Sequence, residues 1–474
     1  MVSRLSLPLA ATASAVLFFF GTGLTPVPAL TWLAPLPLLL VAPRVGGWSA
    51  AGAAFLAYLL AQGNQLHFYL NTPSVPFPVA LVIMTGSALL FALVVALFRA
   101  LMVRGRAVLA VLAAPALWVA LGHLYLMTSP VGILWPLAGT QADLPAVIQI
   151  ASVAGSWSVE YLVLLVPAAL ASLRPRAIAV GAVLCAAAVG FGLVRLAEPA
   201  TGGRQVALLV AGRFQWAPQL DEPDAQNRLR GYAERIAALP ASVETVVLPE
   251  AAFATRPDDR AVLDRALGTL GRTVVVGVIH KTPEAKYNQV LAYAGDGSAP
   301  AVYTKWHVAP GAGLVAGRDL VYAAGGTIGL ANCMDLNFAD PARSYGLAGA
   351  GLLAVPAADE FGNGWQHSRS GLLRGVESGV AIAWAAQKGT PMISDGYGRV
   401  LAGGDTENTR EDFVLTTATV PAGPGKTPYA RFGDWFAWLC TALSVGAVLS
   451  LRRRPGPDAA SEVRRSDPAV ASAR

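Results

Sequence analysis

Thr327-Ile-Gly-Leu-Ala-Asn-Cys333-Met-Asp335 reads as a short apolar strand that ends on a thiol. Two upstream stretches have the same form. Val246-Val-Leu-Pro-Glu250 ends on a carboxylate and Ala301-Val-Tyr-Thr-Lys305 on an amine. Short β-branched runs closed by polar residues are strand signals. Three such strands would each deliver one reactive group at an end.

Long uncharged segments enclose this region. The chain is 54% hydrophobic and only 14% charged, where soluble domains carry about 25% charge. Residues 5–43 hold no charged side chain, too long a run for one helix, with Gly21, Gly23, Pro26 and Pro28 near its middle. They read as a hairpin of two spans, Leu5–Leu24 and Pro28–Pro43. Further apolar runs cover Gly46–Leu66, Val79–Phe98, Ala107–Met127, Ala154–Leu173, Ala177–Leu196 and Trp435–Leu451, giving about eight spans. Each approaches the roughly 20 apolar residues that a bilayer requires. Arg4 and the run after it also fit a signal peptide, but the further spans favour an uncleaved first helix.

Arginine placement orients the chain. Arg4, Arg44, Arg99, Arg104, Arg106, Arg174, Arg176 and Arg452 to Arg454 fall at alternate ends of the spans. The loops Thr25–Val27, His67–Pro78 and Thr128–Val153 hold no Lys or Arg. Cationic loops stay in the cytoplasm, so both termini are expected inside and the polar segment outside. Arg195 and Arg431 break the pattern, but they adjoin a long domain, where the rule is weak. The expected division is 1–200 with seven membrane helices, 201–429 as an outer domain, 430–452 as the last span, and 453–474 as a disordered cytoplasmic tail. The net charge of +6 partly reflects anchoring arginine, so no nucleic-acid partner is expected.

Cys185 and Cys440 lie in apolar runs, which leaves Cys333 alone in the polar segment and without a disulfide partner there. Strands are expected at Val206–Val210, Thr245–Leu248, Thr273–His280, Val290–Ala294, Ala301–Thr304, Thr327–Ala331, Gly351–Val355, Ala381–Ala385 and Pro391–Ser394. Amphipathic helices are expected at Asp221–Leu239, Asp258–Leu270 and His367–Gly379. Such alternation marks an α/β layered domain.

The three strand-end groups suit acyl transfer. A thiol attacks as thiolate, and a nearby Lys305 would favour that form and later steady an oxyanion. Glu250 would take the thiol proton and then serve the second nucleophile. A thioester on Cys333 would split one hard step into two. Each residue alone also has an ordinary reading: a solvated turn carboxylate, a surface amine, a buried structural thiol.

The chain resembles the apolipoprotein N-acyltransferases, a membrane branch of the nitrilase superfamily. Pro115-Ala-Leu-Trp118, Trp135-Pro-Leu-Ala-Gly-Thr-Gln141 and Ile148-Gln-Ile-Ala-Ser-Val-Ala-Gly155 resemble that family's membrane region. Leu248-Pro-Glu250, Tyr303-Thr-Lys305-Trp-His307 and Cys333-Met-Asp335 resemble its base, lysine and nucleophile motifs. Leu373-Arg-Gly-Val-Glu377-Ser378 resembles its arginine–glutamate helix, and Tyr429-Ala-Arg-Phe-Gly-Asp-Trp435 the entry to its last span. The resemblance implies a multi-pass α-helical membrane protein carrying an extracytoplasmic nitrilase-like αββα sandwich in a bacterial inner membrane. It implies Glu250, Lys305 and Cys333 as catalytic residues, a phospholipid acyl donor, a diacylated lipoprotein acceptor, and no cofactor or metal. The five histidines form no ligand spacing.

One family residue is absent. Where Pro-Phe-Gly-Glu usually follows the lysine motif, Pro310-Gly311-Ala312-Gly313 stands here, with Gly313 nearest the glutamate's place. Asp335 is the expected substitute carboxylate, with Asp359 and Glu360 as further candidates and Glu377 as a supporting residue. Two other functions remain open: a membrane-tethered amidase or nitrilase acting on a small amide, and a non-catalytic paralogue that binds lipoprotein or envelope partners. Glu160 reads as an interfacial residue reaching water, and Trp135, Trp216 and Trp306 as candidates for a lipid entrance.

Overall fold

A computed structural model describes residues 6–452 apart from 73–74, 134–135, 200–201 and 361. Arg4, Trp135, Thr201 and the tail 453–474 lie outside the described residues.

Helices form at Ser6–Gly21, Gly47–Ala61, Phe77–Met102, Ala107–Leu126, Ser156–Ser172, Pro175–Leu196 and Trp435–Arg452, close to the expected spans. The expected second span is instead two short helices, Pro28–Leu33 and Leu36–Val41. Pro35 and Pro37 have no amide hydrogen to continue the ladder. Among the described residues, four helices are long and apolar enough to cross a membrane: Phe77–Met102, Ala107–Leu126, Pro175–Leu196 and Trp435–Arg452. Their outward faces carry exposed Val82, Leu89, Val183, Val194, Val445 and Leu449. Such an apolar surface marks a membrane contact. Inside, Phe18 meets Tyr58 and Phe91 edge-on at 4.8 and 5.0 Å.

The polar segment forms two stacked sheets. Its strands are β1 Arg204–Ala211, β2 Val243–Val247, β3 Phe253–Thr255, β4 Thr273–Lys281, β5 Lys286–Tyr293, β6 Ala301–Thr304, β7 Tyr322–Ala323, β8 Ile328–Leu330, β9 Leu352–Ala358, β10 Ala381–Gln387, β11 Met392–Ser394, β12 Val400–Gly403 and β13 Phe413–Val420. One sheet has the order β13-β1-β2-β4-β5-β6, with β3 beside β4, and the other runs β12-β11-β10-β9-β8-β7. The central pairs β1–β2, β2–β4, β8–β9 and β9–β10 are parallel. The strand period of two sorts the side chains. Val206, Leu208 and Val210 meet Ile328, Leu330 and Ala354 between the sheets. Ala207 and Leu209 pack outward on Leu229 and Tyr232 of the helix Pro223–Ala237. β13 was not among the expected strands; it is a largely exposed edge strand in which Thr416 and Val420 are buried.

The second sheet carries the helix Gly364–Ser378 on its outer face. An amphipathic helix was expected, yet nearly every residue in it is buried. Its second face is covered by the membrane-side segment: Ala138, Ile148, Ala151 and Val159 share one apolar cluster with Leu372 and Val376. Glu377 ties these parts together. Its carboxylate accepts from Ser156 N at 2.5 Å and from Arg374 Nη1 at 2.5 Å, and its main-chain oxygen accepts from Thr427 Oγ1. Burial works against the Arg374 charge, but Glu377 outweighs it and raises the guanidinium's pKa.

Glu377→Gln keeps this shape and strands a buried cation. Losing one partner of a buried pair costs about 3–5 kcal/mol. The expected outcome is a clearly lower unfolding midpoint in detergent. An unchanged midpoint would mean that the pair does not join the two parts.

Candidate active site

The strand-end groups converge at the C-terminal edges of both sheets. Glu250 follows β2, Lys305 follows β6 and Cys333 follows β8, and all three side chains are nearly buried. The Lys305 ammonium lies 2.7 Å from Glu250 Oε1. Asn288 on β5 donates to the same oxygen at 2.7 Å, and the amides of Asn288 and Asn332 meet at 2.7 Å. Sequence reading missed Asn288. Its signal was a polar residue at a buried position of a strand.

Backbone contacts fix the glutamate. Glu250 N donates to Ala357 O on β9 at 3.2 Å, and Gln387 Nε2 on β10 donates to Glu250 O at 2.6 Å. The backbone of the glutamate at the end of one sheet is therefore held by the other. Gly277 on β4 lies beneath it, and a Cβ there would come 2.5 Å from Glu250 Cα. Only a glycine lets the Pro249–Glu250 backbone approach so closely.

Cys333 sits at φ 46°, a left-handed backbone. That conformation costs a non-glycine residue about 1–3 kcal/mol. The neighbouring turn holds it there. Asn332 N donates to Asp335 Oδ2 at 3.0 Å and Asp335 N to Asn332 O at 3.0 Å. Asp335 also accepts from Tyr303 Oη at 2.7 Å and from His307 N at 2.8 Å. Its two oxygens thus clamp the Cys333 turn to the residues on either side of Lys305. Asp335 is fully buried and takes no part in the cavity lining. It acts on Lys305 through space, as a nearby negative charge.

Lys305 was expected to favour the thiolate, and it does pull the Cys333 pKa down. Burial alone would lower the lysine's own pKa, but Glu250, Cys333 and Asp335 outweigh burial and raise it. The ammonium stays charged, and Glu250 already neutralises it. Burial and then the Glu250 carboxylate push the Cys333 thiol well up, against the opposing pull of Lys305. Cys333 therefore rests as a thiol, its Sγ 3.4 Å from Ala358 O.

A cavity of about 300 Å³ opens over these groups. Its floor is Glu250, Asn288, Lys305, Cys333, Asp359 and His367. Its walls are apolar: Phe68, Val75, Val131 and Ile133 from the membrane side, Phe214 and Trp216 after β1, and Val308, Ala312 and Leu314 after Lys305. Trp216 is half exposed at the mouth, whereas Trp306 is engaged with Asp319 O at 3.1 Å and does not line the cavity. Gly313 lies on the exposed loop after Lys305 at φ 64° and also does not line the cavity. Asp359 and Glu360 do line it. Glu377 lies at the joint with the membrane helices, outside the cavity. Glu160 does not reach water: it is buried, and Trp118 Nε1 donates to it at 2.6 Å.

Residues 146–425 match the carbon-nitrogen hydrolase family, and residues 14–169 match the apolipoprotein N-acyltransferase N-terminal domain. An apolipoprotein N-acyltransferase of Geobacter metallireducens is 27% identical, over 92% of this chain and 93% of its own. That of Gloeobacter violaceus is 26% identical, over 90% of each chain. Among solved structures, an amidase from Nesterenkonia sp. is similar over 47% of this chain and 92% of its own, at 20% identity and a TM-score of 0.39. The chain belongs to the carbon-nitrogen hydrolase family, and its two parts together resemble the apolipoprotein N-acyltransferases.

Proposed function

We propose that this chain moves a fatty acyl group from a phospholipid, through a thioester on Cys333, to the N-terminal amine of an S-diacylglyceryl-cysteine lipoprotein. The observation that carries this reading is the cavity: apolar walls, partly from the membrane segment, above a floor of Cys333, Glu250 and Lys305. A pocket built this way suits a long hydrocarbon chain with one polar end. A small amide would leave those walls unused.

Glu250 takes the thiol proton as Sγ attacks the ester carbonyl, and passes it to the departing lysophospholipid oxygen. Lys305 faces the charge that develops on the carbonyl oxygen. The lipoprotein amine then attacks the thioester, and the thiol is restored. Asp335 holds the turn and the lysine in register. In this reading the chain crosses the membrane eight times, with 1–200 and 430–452 as membrane segments, 201–429 outside and both termini with the tail 453–474 inside. The cationic loops at alternate helix ends support that arrangement.

Reporter fusions after Arg106 and after Gly202 are expected to give opposite signals, cytoplasmic and external. Matching signals would remove the proposed orientation. Purified protein incubated with phospholipid and no amine is expected to gain the mass of one fatty acyl chain. Hydroxylamine should release it, and Cys333→Ala should not acquire it. No gain from phospholipid together with turnover of a small amide would point to the amidase instead.

Glu250→Gln separates the roles of the charges. It removes the carboxylate that raises the Cys333 thiol and leaves the opposing Lys305 charge without its partner. The thiol pKa should therefore fall while turnover drops by about 10²-fold or more. Iodoacetamide alkylation against pH, in a Cys185→Ala, Cys440→Ala background, reads the shift. An unmoved or higher midpoint would mean that Glu250 does not oppose ionisation.

A further inference from the structure

The proton count of the proposed transfer leaves one proton that must reach solvent. In the first half-reaction Glu250 carries one proton from the Cys333 thiol to the leaving oxygen. In the second it carries one proton from the attacking nitrogen back to the sulfur. The Glu250–Cys333 couple is then restored. An N-terminal amine with a pKa of about 7.7–8.0 arrives largely as ammonium near neutral pH. Its extra proton must leave before nitrogen can attack, and a Glu250 that held it could not relay the second proton to sulfur.

His367 and Asp359 line the same cavity as Cys333 and Glu250. His367 Nδ1 lies 2.8 Å from Asp359 Oδ1. Asp359 is nearly fully buried, and its other oxygen lies so close to Gly389 that a Cβ there would come 2.0 Å from it. Its amide donates to Gln387 O at 2.9 Å, so its main chain is held from β10. Burial pushes the Asp359 carboxyl up and the His367 contact pulls it back; in its ionised form Asp359 only accepts, so the ring then carries its proton on Nδ1 and Nε2 presents a lone pair. Nε2 is buried and has no hydrogen-bond partner among the described residues. The ring edge is set by Trp384 at 4.8 Å and 72°. The ionisable groups around His367 are Asp359, in direct contact, and Glu250, Lys305, Cys333 and Glu360 around the cavity.

We propose that His367, oriented by Asp359, accepts the proton that the acceptor's α-ammonium must lose before its nitrogen attacks the Cys333 thioester. The N–H bond breaks with its electron pair left on nitrogen, and the proton moves to Nε2. The nitrogen pair then forms the C–N bond, the C–S bond breaks, and its pair goes to Sγ. Glu250 hands the second nitrogen proton to that sulfur. His367 later releases its proton to solvent, which accounts for the one proton the net reaction frees. This rests on the acyltransferase reading and assigns the His367–Asp359 pair a role in the second half-reaction alone.

The test separates the two halves. His367→Gln and Asp359→Asn are first incubated with phosphatidylethanolamine vesicles, and thioester on Cys333 is measured by intact mass. Full acylation in wild type and both variants supports the proposal. Acylation lost in the variants but not in wild type overturns it, because the pair would then serve folding or the first step. No acylation in any form, wild type included, overturns the acyltransferase reading itself. The acylated proteins then receive a synthetic S-dipalmitoylglyceryl-cysteinyl peptide with a free α-amine. At pH 6.5, His367→Gln is expected to deacylate about 10²-fold more slowly than wild type. The gap should close towards pH 9, where the amine arrives without its extra proton. Asp359→Asn should show a smaller loss of the same pH form. An equal loss at every pH, or no loss at pH 6.5, overturns the assignment of His367.

Discussion

The buried contact between Lys305 and Glu250, at 2.7 Å, is the constraint on which the site depends. Two charges brought out of water lose hydration worth several kcal/mol each, and only close geometry with further hydrogen bonds offsets that loss. Asn288 supplies one such bond to the carboxylate. Ala357 and Gln387 hold the glutamate backbone from the opposite sheet, and Gly277 leaves room for it. Two sheets must therefore stack in one register before the pair can form. Burial, and then the same Glu250 carboxylate, keep Cys333 a thiol at rest against the pull of Lys305.

Asp335 solves a different problem with the same means. A left-handed residue at the tip of a turn relaxes unless its surroundings determine it. Asp335 binds the turn at Asn332 and reaches Tyr303 and His307 on either side of Lys305. Nucleophile and lysine are thereby positioned by one carboxylate rather than by two independent loops. His307 stacks on Phe338 at 3.7 Å, which closes the far side of this clamp.

The membrane helices contribute more than attachment. The loop at 131–133 exchanges hydrogen bonds with Asn337, the last residue of the Cys333 turn. Asp143 pairs with Arg369 at 2.7 Å, and Gln149 Nε2 donates to Tyr397 O at 2.7 Å. These contacts place Val131 and Ile133 in the cavity wall beside the thiol. An apolar cavity walled partly by the loops between apolar helices admits hydrocarbon more readily than water, as the proposed thioester chemistry needs.

Much of this was legible in the chain. Apolar runs of bilayer length, and β-branched runs ending on Glu250, Lys305 and Cys333, are local patterns, because burial on one face repeats along a strand or helix. The helix break at Pro35 and the edge strand β13 were missed, one because it depends on competing local terms and the other because only Thr416 and Val420 in it are buried. What Asp335, His367 and Asn288 touch was hidden for a stronger reason. Asp335 is 32 positions from Tyr303 and Asn288 is 38 from Glu250, while the 8 positions between Asp359 and His367 cross from the end of β9 into a helix, so no single period relates them. The sequence by itself determined which chemical groups the protein carries and which segments are apolar, since both follow from residue type and local period. Only the tertiary structure decided which charges neutralise each other and which histidine gains a carboxylate, because electrostatic energy depends on distance and burial in space, not on order along the chain.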